Sequence, residues 1–336
     1  MTFDAIERKG GSPGSAPPRL SLVVPAFNEA TRLARGIPQL LDVIPRDETE
    51  VIVVDDGSTD GTAEIARRHL AEMPRHVLRR LPRNSGKGAA VRAGVVEARG
   101  EVIAYMDADM ATDPADLIQL VGALRASPVA VGSREAQGSV VDDKSNLRTL
   151  MSRTFRLFVA SAVRLPTRDT QCGFKAFHGS VAKLLFHGTR VDRFAFDVEV
   201  LTRAARLGLD MEEVPVRWTD VAGSKVSVVR DSLGMLVDVG RTRWRRACEA
   251  PIYGVALTDQ DPLEGARLLR SCVRAVDTVV SWEGGALALF PCVPPTAAAQ
   301  LVRRMDHRVA SHRLQHVALN LETLERSEFR FDKAIA

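Results

Sequence analysis

From Leu20 onward, short apolar runs alternate with longer stretches of helical period. Leu20 to Val24 reads as a strand. Leu33, Ile37, Leu40, Leu41 and Ile44 then recur at the spacing that places them on one helix face. Val51 to Val54 predicts a second strand, ended by Asp55-Asp56-Gly57-Ser58. Asp60 is placed to cap a helix carrying Ile65, Ala66 and Leu70, and a further helix runs through Ala89, Val91, Val95 and Ala98. Val102 to Met106 is a third strand, Pro114 suits a first helical turn, and Val129 to Val131 is a fourth strand. Strands separated by helices predict an α/β fold with a mostly parallel sheet and right-handed crossovers. In such sheets ligands gather at the carboxyl ends of the strands.

Before this pattern begins, residues 1–18 hold Gly10, Gly11, Pro13, Gly14, Pro17 and Pro18, which predicts a disordered tail without the apolar stretch of a secretory signal. The 336 residues are 45% hydrophobic, enough for one large core or two ordinary ones. Lys and Arg number 46 against 42 Asp and Glu, too small an excess to point to nucleic acid. Aromatic residues make up 5%, too few for the stacking platforms of single-strand binders, so no nucleic-acid partner is expected. No uncharged apolar run approaches the ~18 residues of a bilayer-spanning helix. Cys172, Cys248, Cys272 and Cys292 are widely spaced and read as reduced thiols in a cytoplasmic protein.

The chemistry sits where the predicted strands end. Pro25-Ala26-Phe27-Asn28-Glu29 follows the first, Asp55 to Gly61 the second, and Asp107-Ala108-Asp109 the third. Each alone could be a polar turn with a helix cap. Adjacent carboxylates raise one another's pKa and are costly to hold together without a cation. Asp107 and Asp109 at the exit of a buried strand therefore suit a divalent ion with positions left open for phosphate oxygens. Asn84 to Gly94 contains Gly86, Lys87 and Gly88 but lacks the spacing of a phosphate-cradling P-loop. Its glycines permit close backbone approach at a helix start, or simply a tight turn.

These four segments, in this order, resemble the GT-A domain of inverting family-2 glycosyltransferases, over about residues 20–245. The resemblance implies that Pro25, Ala26, Phe27, Glu29, Val54, Asp56, Lys87 and Ala108 surround the nucleotide sugar. It also implies that Asp107 and Asp109 bind Mg²⁺ or Mn²⁺ and the diphosphate. Asp169-Thr170-Gln171-Cys172-Gly173-Phe174-Lys175 resembles a hallmark of dolichyl-phosphate β-glucosyltransferases, relatives of the polyprenyl-phosphate mannose synthases. Gly132-Ser133-Arg134 resembles their phosphate-binding turn, and Trp218 to Lys225 their late Trp…Gly-Ser-Lys segment. The implied catalytic set is Asp109, Arg134 and Lys225. Arg134, Arg148 and Ser152 would bind the acceptor phosphate, with Asp169, Gln171 and Lys175 in the acceptor and sugar region. Ala111 departs from the mannose synthases, which commonly offer the metal a Gln there, so water would complete that coordination.

The expected partners are UDP-glucose, a polyprenyl phosphate and a membrane surface met peripherally on its cytoplasmic face. A phosphate acceptor is already anionic near neutral pH and attacks without a general base. A hydroxyl acceptor would need one, for which Asp169 is the candidate. Leu147, Leu150, Met151, Thr154, Phe158 and Ala162 share a helix face beside Arg148, Arg153, Arg156 and Arg164, and Val198 to Leu207 gives a second amphipathic helix. Each either lies on anionic lipid or faces the core. Within the second, Asp197 and Glu199 read as structural.

After Arg246 the pattern changes. Strands at Ile252–Leu257, within Asp277–Phe290 (two) and at His316–Leu321, with helices at Leu263–Val276 and Thr296–Met305, predict a smaller α+β domain over 250–336. It resembles a truncated GGDEF-type module in which Ala286 and Leu287 replace the acidic residues, or it is an unrelated cap. As a degenerate module it would serve regulation or homo-oligomer formation.

Overall fold

The computed structural model describes residues 5–10, 16–142, 165–221, 252–258, 261–273, 277–282, 285–291 and 314–319, together with residues 293, 297, 300, 301, 303 and 305. The elements of the larger layer are β1 (Ala5–Lys9), β2 (Leu20–Ala26), α1 (Ala30–Val43), β3 (Thr49–Asp55), α2 (Thr62–Leu70) and β4 (His76–Arg80). They continue with α3 (Lys87–Glu97), β5 (Val102–Met106), α4 (Leu117–Ala123), β6 (Val129–Ser133), β8 (Phe174–His178), α5 (Gly179–Phe186), α6 (Phe196–Arg206) and β9 (Met211–Pro215). A short pair, β7 (Val140–Asp142) and β10 (Arg217–Thr219), runs parallel beside them.

The eight-stranded sheet has the order β1-β4-β3-β2-β5-β8-β6-β9. Strands β4, β3, β2 and β5 are mutually parallel, while β1 and β8 run against their neighbours. The central strands are buried on both faces, which is why they read as unbroken apolar runs. Leu22, Val24, Val51 and Val53 face one core with Leu33, Ile37 and Leu40 of α1. Val23, Ile52 and Val54 face the opposite core with Val91 and Val95 of α3 and Val200 of α6. The chain winds from β2 through β3 to β4 and then crosses back to place β5 on the other side of β2. That reversal opens a crevice at the carboxyl ends of β2 and β5, where such folds hold ligands.

The expected disordered tail is corrected in part. Ala5–Lys9 is an edge strand, paired antiparallel with β4 from Ala5 opposite Arg80 to Lys9 opposite His76. Arg8 reaches Glu50 at 3.1 Å and Glu97, and Glu7 pairs with Arg67. Charges of this kind also blunt an exposed edge. Of the two readings of Val198 to Leu207, on lipid or facing the core, the second is observed. This helix is α6, with Phe196, Val198, Val200 and Leu201 fully packed and Asp197, Glu199, Thr202 and Arg203 also buried, while Arg206 is exposed. The Glu199 carboxylate accepts from the N–H groups of Arg190 and Val191 and pairs with Arg203. The segment 147–162 lies outside the described residues.

Toward the carboxyl end, β11 (Ile252–Thr258), α7 (Pro262–Cys272), β12 (Thr278–Trp282), β13 (Gly285–Phe290) and β14 (Leu314–Leu319) form an antiparallel sheet of order β12-β13-β11-β14. With helical residues at 297, 300, 301, 303 and 305, this is the split βαβ succession of ferredoxin-like folds. One face of the sheet packs on Ala266 and Leu269 of α7 and on Met305. On the other, Ile252, Ala256, Val280, Leu287 and Leu289 pack around Leu184 of α5. Among the described residues both faces of this sheet are thus packed, one on α7 and one on α5.

Helix α5 is consequently buried along every residue, between the two sheets. It follows β8 with no intervening loop, and the junction is Gly179, where a Cβ would meet the Gly100 carbonyl oxygen at 2.4 Å. No helix of the described residues is long and apolar enough to cross a membrane.

Candidate active site

Two turns meet at the end of β2. The Asn28 N–H donates to Ser58 Oγ at 2.8 Å, and the Thr59 N–H donates to Asn28 Oδ1 at 2.8 Å. Asn28 adopts a left-handed conformation, φ 54°, which asparagine tolerates better than most residues. Asp55 accepts the Ser58 N–H at 2.8 Å, closing the Asp-Asp-Gly-Ser turn on itself. Asp56 is buried and accepts the N–H groups of Ser85 and Gly86, both at 2.7 Å. Burial pushes its pKa up against the pull of those two donors. Asp56 therefore fastens the 83–88 segment to the strand end.

The glycines of that segment serve the protein's own backbone. A Cβ at Gly86 would meet the Asp192 carbonyl oxygen at 2.3 Å, and one at Gly88 would meet that of Val191 at 2.5 Å. Gly86 has φ 107°, a conformation glycine alone adopts readily. The Ala89 N–H also donates to the Asp192 carbonyl. The close approach expected from the sequence is thus made to residues 191–192.

At the end of β5, Asp107 and Asp109 lie side by side. Lys87, the first residue of α3, places its Nζ 2.6 Å from Asp107 Oδ1 and 5.9 Å from the Phe196 ring centroid. Asp109 Oδ1 accepts the Ala111 N–H at 3.1 Å. Burial raises the Asp109 pKa, and the neighbouring Asp107 charge raises it further, while Lys87 and Arg32 oppose. Burial works to lower the Lys87 pKa, but Asp107, Asp197 and Asp109 outweigh it. No group of three His, Cys, Asp or Glu side chains able to hold a metal ion occurs among the described residues.

The 169–175 loop closes the site from β8. A Cβ at Gly173 would lie 2.1 Å from Asp107 Oδ2, so a larger residue here would displace that carboxylate. Asp169 is fully buried and forms a two-point fork with Arg134, Nε to Oδ2 at 2.7 Å and Nη2 to Oδ1 at 2.9 Å. Arg134 stacks over Trp218 at 5.6 Å and feels the Asp107 charge. Burial works to raise the Asp169 pKa, but the Arg134 fork prevails and holds it down at about 2. The same loop carries buried Thr170 Oγ1 and Gln171 Nε2, which find no partner among the described residues, and so does Thr167 Oγ1 just before it.

Several expected contacts take a different form. Lys175 does not face the crevice: it is wholly buried, with Nζ 2.7 Å from Asp197 Oδ1 and bonds to the carbonyls of Thr170 and Cys172. The Tyr105 hydroxyl donates to the same Asp197 oxygen. The side chains of Ala26, Val54 and Ala108 lie in the two cores, so only their backbone can border a ligand. Asp169, the candidate base for a hydroxyl acceptor, has both oxygens engaged by Arg134, and that fork holds its pKa down at about 2. Glu29 pairs with Arg32 at 2.9 Å, and Pro25 and Phe27 flank it at the end of β2. Arg148, Ser152 and Lys225 lie outside the described residues. Sequence reasoning missed Asp197 as the buried partner of Lys175, a pairing made by tertiary structure across 22 residues of sequence.

Residues 21–186 match the family described as Glycosyl transferase family 2. The dolichyl-phosphate beta-glucosyltransferase of Drosophila melanogaster is 40% identical over 246 residues, covering 68% of this chain and 73% of the relative. The chain belongs to glycosyl transferase family 2. A second dolichyl-phosphate beta-glucosyltransferase, from Dictyostelium discoideum, is 33% identical over 242 residues, 67% of this chain and 74% of the relative. Among solved structures, glucosyl-3-phosphoglycerate synthase from Mycobacterium tuberculosis in complex with Mn²⁺, UDP and glucosyl-3-phosphoglycerate superposes with a TM-score of 0.51. That likeness covers 72% of this chain and 84% of the other at 20% identity, and it speaks to the fold. This family-2 member is thus a glycosyltransferase, with its crevice at the carboxyl ends of β2 and β5.

Proposed function

We propose that this glycosyltransferase transfers glucose from UDP-glucose to a polyprenyl phosphate, with inversion, giving a polyprenyl β-glucosyl phosphate. The observation that carries the choice of acceptor is the Arg134–Asp169 fork. It engages both oxygens of the candidate base that a hydroxyl acceptor would need and sets a guanidinium at the site, which supports an acceptor that brings its own negative charge. A phosphate monoester needs no base, because its oxygen is already anionic, and it needs a cation to dock on. The relatives named dolichyl-phosphate beta-glucosyltransferases support the same choice.

In this reading an acceptor oxygen attacks the anomeric carbon from the side opposite the nucleotide. The bond to the UDP oxygen breaks, and its electron pair leaves on the diphosphate. Arg134 positions the acceptor phosphate through Nη1, which the Asp169 fork does not engage. Arg148, Ser152 and Lys225 complete the phosphate contacts. Gln171 and Thr170 offer buried polar atoms to sugar hydroxyls. Pro25, Phe27 and Glu29 border the nucleoside, with Asp56 holding the adjoining loop.

Asp107 and Asp109 suit Mg²⁺ or Mn²⁺: their donors are carboxylate oxygens, and their mutual repulsion calls for a cation. When bound, the ion neutralises charge developing on the leaving diphosphate. With Asp107 and Asp109 as its two protein ligands, the remaining positions of such an ion would fall to phosphate oxygens and water. The lipid acceptor places the enzyme peripherally at the cytoplasmic face of a membrane. Residues 250–336 act as an integral cap, a reading supported by their packing on α5.

The test supplies radiolabelled UDP-glucose, short-chain polyprenyl phosphate and Mg²⁺ or Mn²⁺, with GDP-mannose as the competing donor. Label in a butanol-extractable, mild-acid-labile lipid is the expected result, absent with Asp109→Asn. Label confined to water-soluble products rejects the lipid acceptor, and preferential use of GDP-mannose rejects glucose.

A further inference from the structure

We infer that Lys87 is a built-in counter-cation for Asp107, one that keeps a divalent ion from settling there until a nucleoside diphosphate draws the ammonium away. This rests on the function proposed above and adds an order of assembly to it.

Three features lead to this. First, Lys87 Nζ stands 2.6 Å from Asp107 Oδ1, so its ammonium already sits on a carboxylate that suits a divalent ion. A divalent ion bound there would face an ammonium at close range, and two cations on one carboxylate repel strongly in a partly buried site. Second, the ammonium has alternatives within reach of its own stem. It lies over the Phe196 ring at 5.9 Å, and lysine carries its charge on a flexible four-carbon chain that can turn toward an arriving phosphate. Third, part of the backbone around Lys87 is already engaged: the Gly86 N–H donates to Asp56 and the Ala89 N–H to the Asp192 carbonyl, and the full positive charge of this segment is the Lys87 side chain.

Charge balance gives the same answer. Asp107, Asp109 and Lys87 together carry one net negative charge. A divalent ion alone would turn the cluster positive with cations facing each other. A diphosphate alone would add to the carboxylates. Arriving together they compensate, with Lys87 passing from Asp107 to the diphosphate as the metal takes Asp107. Metal and nucleotide should therefore bind with positive coupling, and by linkage each raises the affinity of the other by the same factor.

The test measures Mn²⁺ binding to the full chain by loss of the free-ion electron paramagnetic resonance signal, with and without saturating UDP. Wild type is expected to bind Mn²⁺ weakly alone and much more tightly with UDP. Lys87→Met should bind Mn²⁺ alone about tenfold more tightly than wild type, with a smaller gain from UDP. Lys87→Arg, which keeps the charge, should behave as wild type, and circular dichroism should show all three folded. Equal Mn²⁺ affinity of wild type and Lys87→Met in the absence of UDP overturns the inference while leaving the proposed function standing. Wild type that takes up no Mn²⁺ even with UDP overturns the metal–nucleotide reading and this inference with it.

Discussion

Arg134, the residue after β6, and Asp169, in the loop that leads to β8, meet through three bonds: the side-chain fork and the Arg134 N–H to Asp169 Oδ2 at 3.0 Å. This joins the antiparallel part of the sheet to the crevice and aims the guanidinium. Asp169→Asn is predicted to lower kcat/KM for polyprenyl phosphate by about 100-fold while KM for UDP-glucose changes little. Steady-state kinetics with each substrate varied decides it, and equal losses for both would show a general defect.

The same carboxylate sets an acid limit. Its folded pKa of about 2 lies below the ordinary 3.8, so its contribution to stability is present above pH 3.8 and disappears as pH falls toward 2. The contribution is on the order of 2 kcal/mol. Urea unfolding at stepwise pH should show wild type more stable than Asp169→Asn near neutrality, with the difference vanishing between those two values. A pH-independent difference would assign it to packing instead.

Lys175 and Asp197 form a buried ion pair that can be broken one side at a time. Lys175→Met leaves the Asp197 charge without its cation and is predicted to cost about 3–5 kcal/mol. Adding Asp197→Leu should restore at least about 1 kcal/mol, because both charges are then gone. Denaturant titration of the two variants tests this, and a double variant less stable than the single one would contradict it.

Two glycines should answer alanine in opposite ways. At Gly173 the new methyl meets Asp107 Oδ2 at 2.1 Å, and activity should fall about 100-fold with the fold intact. At Gly122, exposed in α4, a Cβ meets nothing within 4 Å, and alanine should stabilise by about 0.5–1 kcal/mol. Activity and thermal unfolding of the pair provide the comparison.

Ending the chain at residue 250 removes β11 to β14 and uncovers Leu184. The prediction is loss of soluble protein and binding of a hydrophobic dye, where a separable module would leave a well-behaved remainder. Soluble yield and dye fluorescence report the outcome.

The central strands and the Asp-rich ends were legible because a doubly covered strand must be apolar throughout and its carboxylates stand out at the exit. What escaped was polarity used inside. Ala5–Lys9 has the composition of a tail, and its pairing is fixed by distant partners such as Glu50 and Glu97. Helix α6 shows an amphipathic pattern, yet Asp197, Glu199 and Arg203 are buried on partners that no periodicity reveals. Lys175 sits in a motif and was read as a ligand contact, while its place in the strand turns it to the interior. The roles of Gly86 and Gly88 were visible as a need for close approach, but the object approached, residues 191–192, is set by tertiary structure alone.

The passage of β8 straight into α5 has a mechanical meaning. One unbroken stretch begins at Gly173, against the Asp107 carboxylate, and ends beneath the carboxyl-terminal sheet, where Thr278 Oγ1 also donates to the Ser180 carbonyl at 3.1 Å. With no loop between strand and helix to absorb a shift, the Asp107 end of the crevice and the outer sheet share one continuous mount.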